Sequence, residues 1–376
     1  MNPRERHLKT LLFDKPDRVP LSPGGGRKST LDAWLKQGLP PDKLSNYNEY
    51  AYRLAGGTLP WPAGGPGFPV NQRMIPQFEE KIIEEKETSR VVQDWKGNIC
   101  EIDRKYTVEY LRNAIDFVTR RWIKCPVENR RDWEDMKRRY DPGDASRLPT
   151  DAAAPGKKAA GRDWFVEIGF SGPFWQLREW VGFEGLCLLF YDDPPLARDM
   201  IAFWEEFISC LLKRTFAEFI PDCVHISEDM AYKCFSMISP AMAREYLLPT
   251  WKRWGEIIRG AGVPVYAVDS DGYIGELIPL WIEAGINACD PIEVAAGNDI
   301  NAFRKKFGKS MAYRGGVDKR AMARGGKTIE LEIERLRPVI EDGGYIPSCD
   351  HGVPPDVSWP DYAHYVSCLA KATGWI

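Results

Sequence analysis

The chain has no Cys-x-x-Cys pair, no run of eighteen apolar residues, no surplus of basic charge and only four histidines. Each absence excludes something. Nine cysteines scattered singly make no disulfide framework, and an odd count at irregular spacing fits the reduced thiols of a cytoplasm. Without a long apolar run no helix spans a bilayer. Met1 to Asp17 is charged and lacks the apolar core of a secretion signal, so a cytoplasmic location with no membrane partner is expected. The formal net charge is −3, with 51 Lys and Arg against 54 Asp and Glu and no Lys/Arg-rich run, so nucleic acid is not an expected partner. No Gly-x-Gly-x-x-Gly follows any apolar segment, which argues against a dinucleotide fold.

What is present is an ordinary globular composition, 44% hydrophobic and 28% charged, on a chain long enough to bury a core. About the first 160 residues read irregularly. They include a short strand candidate at Arg18-Val19-Pro20-Leu21, a flexible Ser22-Pro23-Gly24-Gly25-Gly26-Arg27 turn and a helix from Thr30. A hairpin follows over Val91–Cys100 with Lys96-Gly97-Asn98 at its tip. A helix is expected over Arg131–Lys137. The stretch Asp141–Arg162, rich in Pro, Gly and Ala, reads as an exposed excursion and not a domain boundary.

From Phe165 the rhythm changes. Apolar segments at Phe165–Phe170, Cys223–Asp229, Val263–Asp271, Ile286–Glu293, Met311–Asp318 and Tyr345–His351 alternate with helical spacing. Strand followed by helix, repeated, implies a parallel sheet. Six units and two early strands make eight. The fold expected is therefore α/β, a single (β/α)8 TIM barrel over residues 1–376 with an irregular N-terminal extension of about 160 residues.

Catalytic groups of such barrels project from strand carboxyl ends. Here those ends are polar: Ser227-Glu228-Asp229, Asp269-Ser270-Asp271, Asp290-Pro291-Ile292-Glu293, Arg314 to Asp318, and Cys349-Asp350-His351. Alternation puts His225, Ser227 and Asp229 on one face, Ala267, Asp269 and Asp271 on another, and Pro347, Cys349 and His351 on a third. If these faces point inward, carboxylates, a thiol and imidazoles meet at one mouth. Crowded carboxylates raise one another's pKa, which suits acid–base work or cation binding. Asp, Cys and His together can hold zinc. The plainer readings stand beside these. A strand-end Asp often caps the next helix, as expected for Asp318. His225 in mid-strand reads as a satisfied core group. Phe170, Phe174 and Trp175 around Ser171 either wall a flat substrate or fill the core.

Several stretches resemble the uroporphyrinogen decarboxylase superfamily. They are Gly169-Phe170-Ser171-Gly172-Pro173-Phe174, Ser227-Glu228-Asp229-Met230, Ile238-Ser239-Pro240, Asp269-Ser270-Asp271-Gly272, Gly285-Ile286-Asn287, Asp290-Pro291-Ile292-Glu293 and Gly343-Gly344-Tyr345-Ile346. The resemblance covers about residues 90–376 and implies the (β/α)8 barrel. Decarboxylases of the family carry an arginine-rich signature after the first strand, where this chain has Ser22 to Arg27. In zinc-dependent methyltransferases of the family a His-x-Cys stands where this chain has Asp269-Ser270-Asp271, while Cys349 matches their later cysteine. The chain looks most similar to the group that demethylates aryl methyl ethers and passes the methyl to a corrinoid protein.

That resemblance implies a methyltransferase moving a methyl group from a small methylated compound, such as an O-methyl aromatic, to a corrinoid presented by a partner protein. Asp229, Glu228, Asp269 and Asp271 are the expected catalytic acids. Phe170, Ser171, Phe174, Trp175, Arg27, Arg314 and Glu293 are the expected substrate contacts, and Cys349, His351 and Asp271 the expected ligands of a zinc ion. Two alternatives stand beside it: a decarboxylase of another carboxylated substrate, and a barrel that binds a tetrapyrrole without turnover. A homodimer is among the assemblies the sequence allows.

Overall fold

A computed structural model of the chain describes residues 1–62, 64–113, 118–149 and 161–376. Where one domain is expected, the chain divides into two compact units. The first comprises Met1–Phe68, Ala152–Gly169 and Glu218–Ile376, the second Pro69–Asp151 and Phe170–Ala217. The change of unit at 151/152 falls inside the stretch read as an excursion, of which residues 150–160 lie outside the described residues. Arg147, in the same stretch, is not exposed but buried, its guanidinium donating to the carbonyls of Asp141, Asn71 and Arg73.

The strands are β1 (Lys81–Glu85), β2 (Ser89–Gln93), β3 (Ile99–Asp103), β4 (Arg120–Lys124), β5 (Glu167–Ser171), β6 (Cys223–Ser227), β7 (Val265–Asp269), β8 (Ala288–Asp290), β9 (Ala312–Val317) and β10 (Tyr345–Cys349). In the first unit the sheet order is β10-β9-β8-β7-β6-β5, each strand beside its sequence neighbour. The pairs from β6 to β10 are parallel. Helices such as Leu248–Gly260, Ile300–Phe307, Lys327–Asp342 and Trp359–Ala372 alternate with these strands or follow them. This is the α/β barrel class that the alternation predicts.

The two early strands do not join that sheet. The hairpin forms as expected, but β2 and β3 belong to a separate antiparallel sheet of the second unit, in the order β1-β2-β3-β4. Arg18–Leu21 forms no strand. The segment after it runs beside β10 instead: Cys349 N donates to Pro23 O at 3.4 Å and Val353 N to Gly25 O at 2.9 Å. Pro20 and Pro23 have no N–H to give a ladder, and Gly24, at φ +92°, bends the segment out of strand geometry.

Alternation then builds the barrel interior in layers. Cys223, Val265, Ala267, Ala288, Ala312 and Ile346 form one apolar cluster with Leu11, and Leu8, Phe13 and Phe165 pack against it. Helix Pro3–Leu11 therefore covers the amino ends of the strands. Its own start is fixed by a capping box, in which Asn2 Oδ1 accepts from Glu5 N and Glu5 accepts from Asn2 N. Two residues further along each strand, side chains return to the same face. Those residues are Glu167, His225, Asp269, Asp290, Arg314 and Ser348, so the layer above the apolar one is polar on every strand from β5 to β10.

Candidate active site

Five residues of the polar layer, Glu167, His225, Asp290, Arg314 and Ser348, line a cavity of about 440 Å3 with His7, Leu11 and Phe165 at its apolar end; Asp269 is not part of its lining. Arg314 bridges two strands: its Nη1 donates to Glu167 Oε2 at 2.6 Å and its Nε to Asp290 Oδ2 at 2.7 Å. His225 Nε2 lies 3.2 Å from Asp290 Oδ1, and Nδ1 lies 3.8 Å from Glu167 Oε1. Burial works against a charged His225 ring, but Asp290 and Glu167 outweigh it and push the pKa up to about 9. Burial also opposes ionisation of Asp290, yet Arg314 and His225 hold it down at about 2. Two cations thus balance two carboxylates.

Asp269 is the group left over. Burial, then Asp290, Asp271 and Asp229, push its carboxyl up to about 7, with His225 pulling the other way. It is a carboxylic acid that holds its proton near neutral pH, within electrostatic reach of three other acids. The expected acids Asp229, Asp269 and Asp271 are therefore brought together. Glu228 is not among them. It is fully buried, and its Oε1 accepts a hydrogen bond from the Trp251 indole of helix Leu248–Gly260, on the outer face of the sheet. Asp229 itself sits at φ +41°, a left-handed conformation just past β6 that breaks the alternation from which its direction is read.

A second cavity of about 520 Å3 lies beyond the strand ends, lined by Tyr232, Lys233, Asp271, Gly272, Glu293 and Arg320. Glu293 Oε2 accepts from Gly272 N at 3.1 Å, and its Oε1 meets Lys319 Nζ at 3.1 Å. Asp271 does not cap a helix. Its Oδ2 is 3.0 Å from His351 Nε2, while His351 Nδ1 is met by Gly352 N at 2.8 Å and Arg27 Nη2 at 2.8 Å. Two N–H donors on Nδ1 make it the acceptor, so Nε2 carries the proton and donates to Asp271. Asp318 caps helix Lys319–Arg324 as expected, accepting from Arg320 N at 2.9 Å.

The expected zinc ligands do not assemble. Strand β10 turns Ile346 and Ser348 to the interior, so Cys349 lies on the opposite parity from that assumed. Its Cβ sits against Gly24, and burial pushes its thiol up to about 12. Both nitrogens of His351 are engaged. Among the described residues no group of three His, Cys, Asp or Glu side chains is placed to hold a metal ion. These residues do not fit a zinc site.

In the second unit Phe170 and Phe174 are buried core, as the plainer reading has it. Ser171 N donates to Gln72 Oε1 at 2.7 Å, and Trp175 is covered by the Arg178 guanidinium at 4.2 Å from its ring centre. The sequence reading passes over Glu167 and Asp290 as site residues and gives His225 the plainer role. Their signal is a charged or imidazole residue inside an otherwise apolar strand, two positions after a small or apolar one.

The fold and this polar interior define an α/β-barrel enzyme class. The chain belongs to the uroporphyrinogen decarboxylase (URO-D) family, whose model matches residues 111–371. A methyltransferase from Methanosarcina mazei has a similar structure, with 13% identity, 99% of each chain covered and a TM-score of 0.55. At that identity the likeness concerns the fold. A B12-independent methionine synthase from Shewanella sp. W3-18-1, solved in complex with selenomethionine, aligns over 95% of this chain and 97% of its own, at 11% identity and a TM-score of 0.44. No curated protein matches the chain in sequence. No described helix is long and apolar enough to cross a membrane.

Proposed function

We propose that the first unit's barrel interior takes a methyl group from a small, uncharged methylated donor, with Asp269 as the proton source for the leaving oxygen or nitrogen. Asp269 does not itself line the cavity but lies within electrostatic reach of Asp290 and His225 in its wall. The observation that carries this reading is the charge balance of the interior. Arg314 and His225 are each matched by a carboxylate, so neither is a spare cation for a carboxylated substrate. Asp269 alone keeps a proton near pH 7 without a basic partner at hydrogen-bond distance among the described residues. A carboxylic acid of that pKa is matched to protonating an alkoxide or amine as it departs. At about 440 Å3 the cavity suits a donor of modest size. In this reading the acceptor is a corrinoid presented by a separate protein, which supplies the Co(I) nucleophile that takes the methyl.

The test is methyl transfer to Co(I) cobalamin under anaerobic conditions, followed by the absorbance of methylcobalamin, with a panel of methoxylated aromatics. Transfer from at least one donor, reduced roughly a hundredfold in Asp269→Asn, is the expected result for loss of a positioned general acid. Carbon dioxide release from an aromatic or aliphatic acid, with no methyl transfer, overturns it in favour of a decarboxylase.

A further inference from the structure

We infer that the second unit carries a separate binding site for an oxyanion, a phosphate or carboxylate group of a small molecule, built on Arg73 and Arg120 beside the turn that joins β2 to β3. The turn is rigid. Asp94 is buried and spends its carboxylate inward, accepting from Lys96 N at 3.0 Å, Asn98 N at 2.9 Å and Asn98 Nδ2 at 3.2 Å. Segment 71–78 runs beside it, with Phe78 N donating to Trp95 O at 3.0 Å.

On this base cations are crowded together. The Trp95 indole has Arg73 at 5.0 Å, Lys96 at 5.2 Å and Arg112 at 5.9 Å from its ring centre. Arg120 lies over Trp122 at 5.1 Å and Arg178 over Trp175 at 4.2 Å. The nearby carboxylates are committed: Glu179 to Lys96, Glu80 to Arg112 at 3.1 Å, and Asp94 to the turn amides. The guanidinium groups of Arg73 and Arg120 have no ion pair among the described residues. Burial, opposed by Asp94 and joined by Arg120, Arg73 and Arg178, pulls the Lys96 ammonium down to about 8. With Lys96 and Arg112 each paired to a carboxylate, Arg73 and Arg120 are the charges left for an anion to balance. Arginine meets phosphate and carboxylate in the same bidentate geometry, so both sources share one recognition chemistry. The indole is already attended by cations, so recognition falls on the anionic group and not on a stacked ring.

The inference is independent of the reaction in the first unit. It is tested with the full chain by calorimetric titration of inorganic phosphate in one arm and benzoate in the other, at constant ionic strength set with sodium chloride. Saturable binding of one or both is expected. It should weaken roughly tenfold in Arg73→Gln and further in the Arg73→Gln/Arg120→Gln double variant, as loss of charge-assisted bonds requires. Preference for phosphate identifies a phosphate ester as the source, and preference for benzoate a carboxylate. Both arginines are at the surface or half-buried, so the variants are expected to melt like the parent without ligand; thermal unfolding checks this. Phosphate or benzoate should raise the melting temperature of the parent and leave that of the double variant unchanged. No saturable heat in either arm, or equal affinity in the parent and a folded double variant, overturns the proposal.

Discussion

Asp269 and His225 titrate in ways that separate their roles. Both have folded pKa values raised above the unfolded ones, so each contributes stability at low pH that is lost as pH rises. For Asp269 that loss runs from the ordinary carboxyl value of 3.8 to about 7. For His225 it runs from 6.5 to about 9. The protein should therefore be more stable at pH 5 than at pH 9. Asp269→Asn removes the first window, because an amide has no charge to bury. We expect the variant to match the parent at pH 4 and to exceed it by a few kcal/mol at pH 8. Urea unfolding at the two pH values checks this, and an equal change at both would remove Asp269 from the buried acids. Arg314→Met acts in the opposite sense. It leaves Glu167 and Asp290 without their bridging cation and should cost about 3–5 kcal/mol at pH 7. Arg314→Lys should restore part of that loss, since lysine supplies the charge without the bidentate fork.

Individual elements explain what the sequence could and could not reveal. The alternation of apolar segments and helices from Phe165 onward is strong enough to place six strands, and those strands are observed. Their interior faces were harder to read. On β10 the choice between Ile346/Ser348 and Cys349/His351 turns on which parity meets helix Pro3–Leu11, a contact between distant parts of the chain. Glu228 looked like a mouth acid because Trp251, which receives it, is 23 residues away in sequence. The loop after β8 shows backbone geometry that composition alone does not disclose. Ile292 takes φ +56°, and Gly315 of β9, at φ +94°, lies against the Pro291 carbonyl so closely that a Cβ would overlap its oxygen. Gly38, at φ +103°, has nothing within 4 Å of the same position. Gly38→Ala should thus cost about 1 kcal/mol from backbone strain alone, whereas Gly315→Ala should cost roughly 3 kcal/mol or more and disturb Asp290 beside it. Thermal melts of the two variants make the comparison, and similar losses would show that the close approach is relieved by movement of the loop.

At the scale of the whole molecule, the division into two units was hidden because the second is assembled from separated stretches, 69–151 and 170–217, and contact across sequence leaves no local signal. Charge was more legible. The chain carries a formal −3, and the barrel interior follows that sign: two cations are cancelled in place, and Asp229, Asp269 and Asp271 gather beside them. Asp350, fully buried near Lys319 and raised by burial to about 6, adds to the acid content at the strand ends. A porphyrinogen with eight carboxylates needs several fixed cations at this face, each worth a charge-assisted bond. Arg27, the cation nearest the expected arginine signature, is instead turned to His351 at 2.8 Å. A cavity of about 440 Å3 also lies at the small end of ligand sites. We therefore expect no measurable coproporphyrinogen when the purified protein is incubated anaerobically with uroporphyrinogen, under conditions where a true decarboxylase of the family converts it. The Asp271→Asn variant extends the test. If repulsion is what excludes the polyanion, removing this charge should let uroporphyrinogen inhibit methyl transfer more strongly than it inhibits the parent, an effect that fades with added salt. Coproporphyrinogen formation by the parent would mean that cations outside the first unit's interior serve the substrate, and would return the chain to the decarboxylase branch.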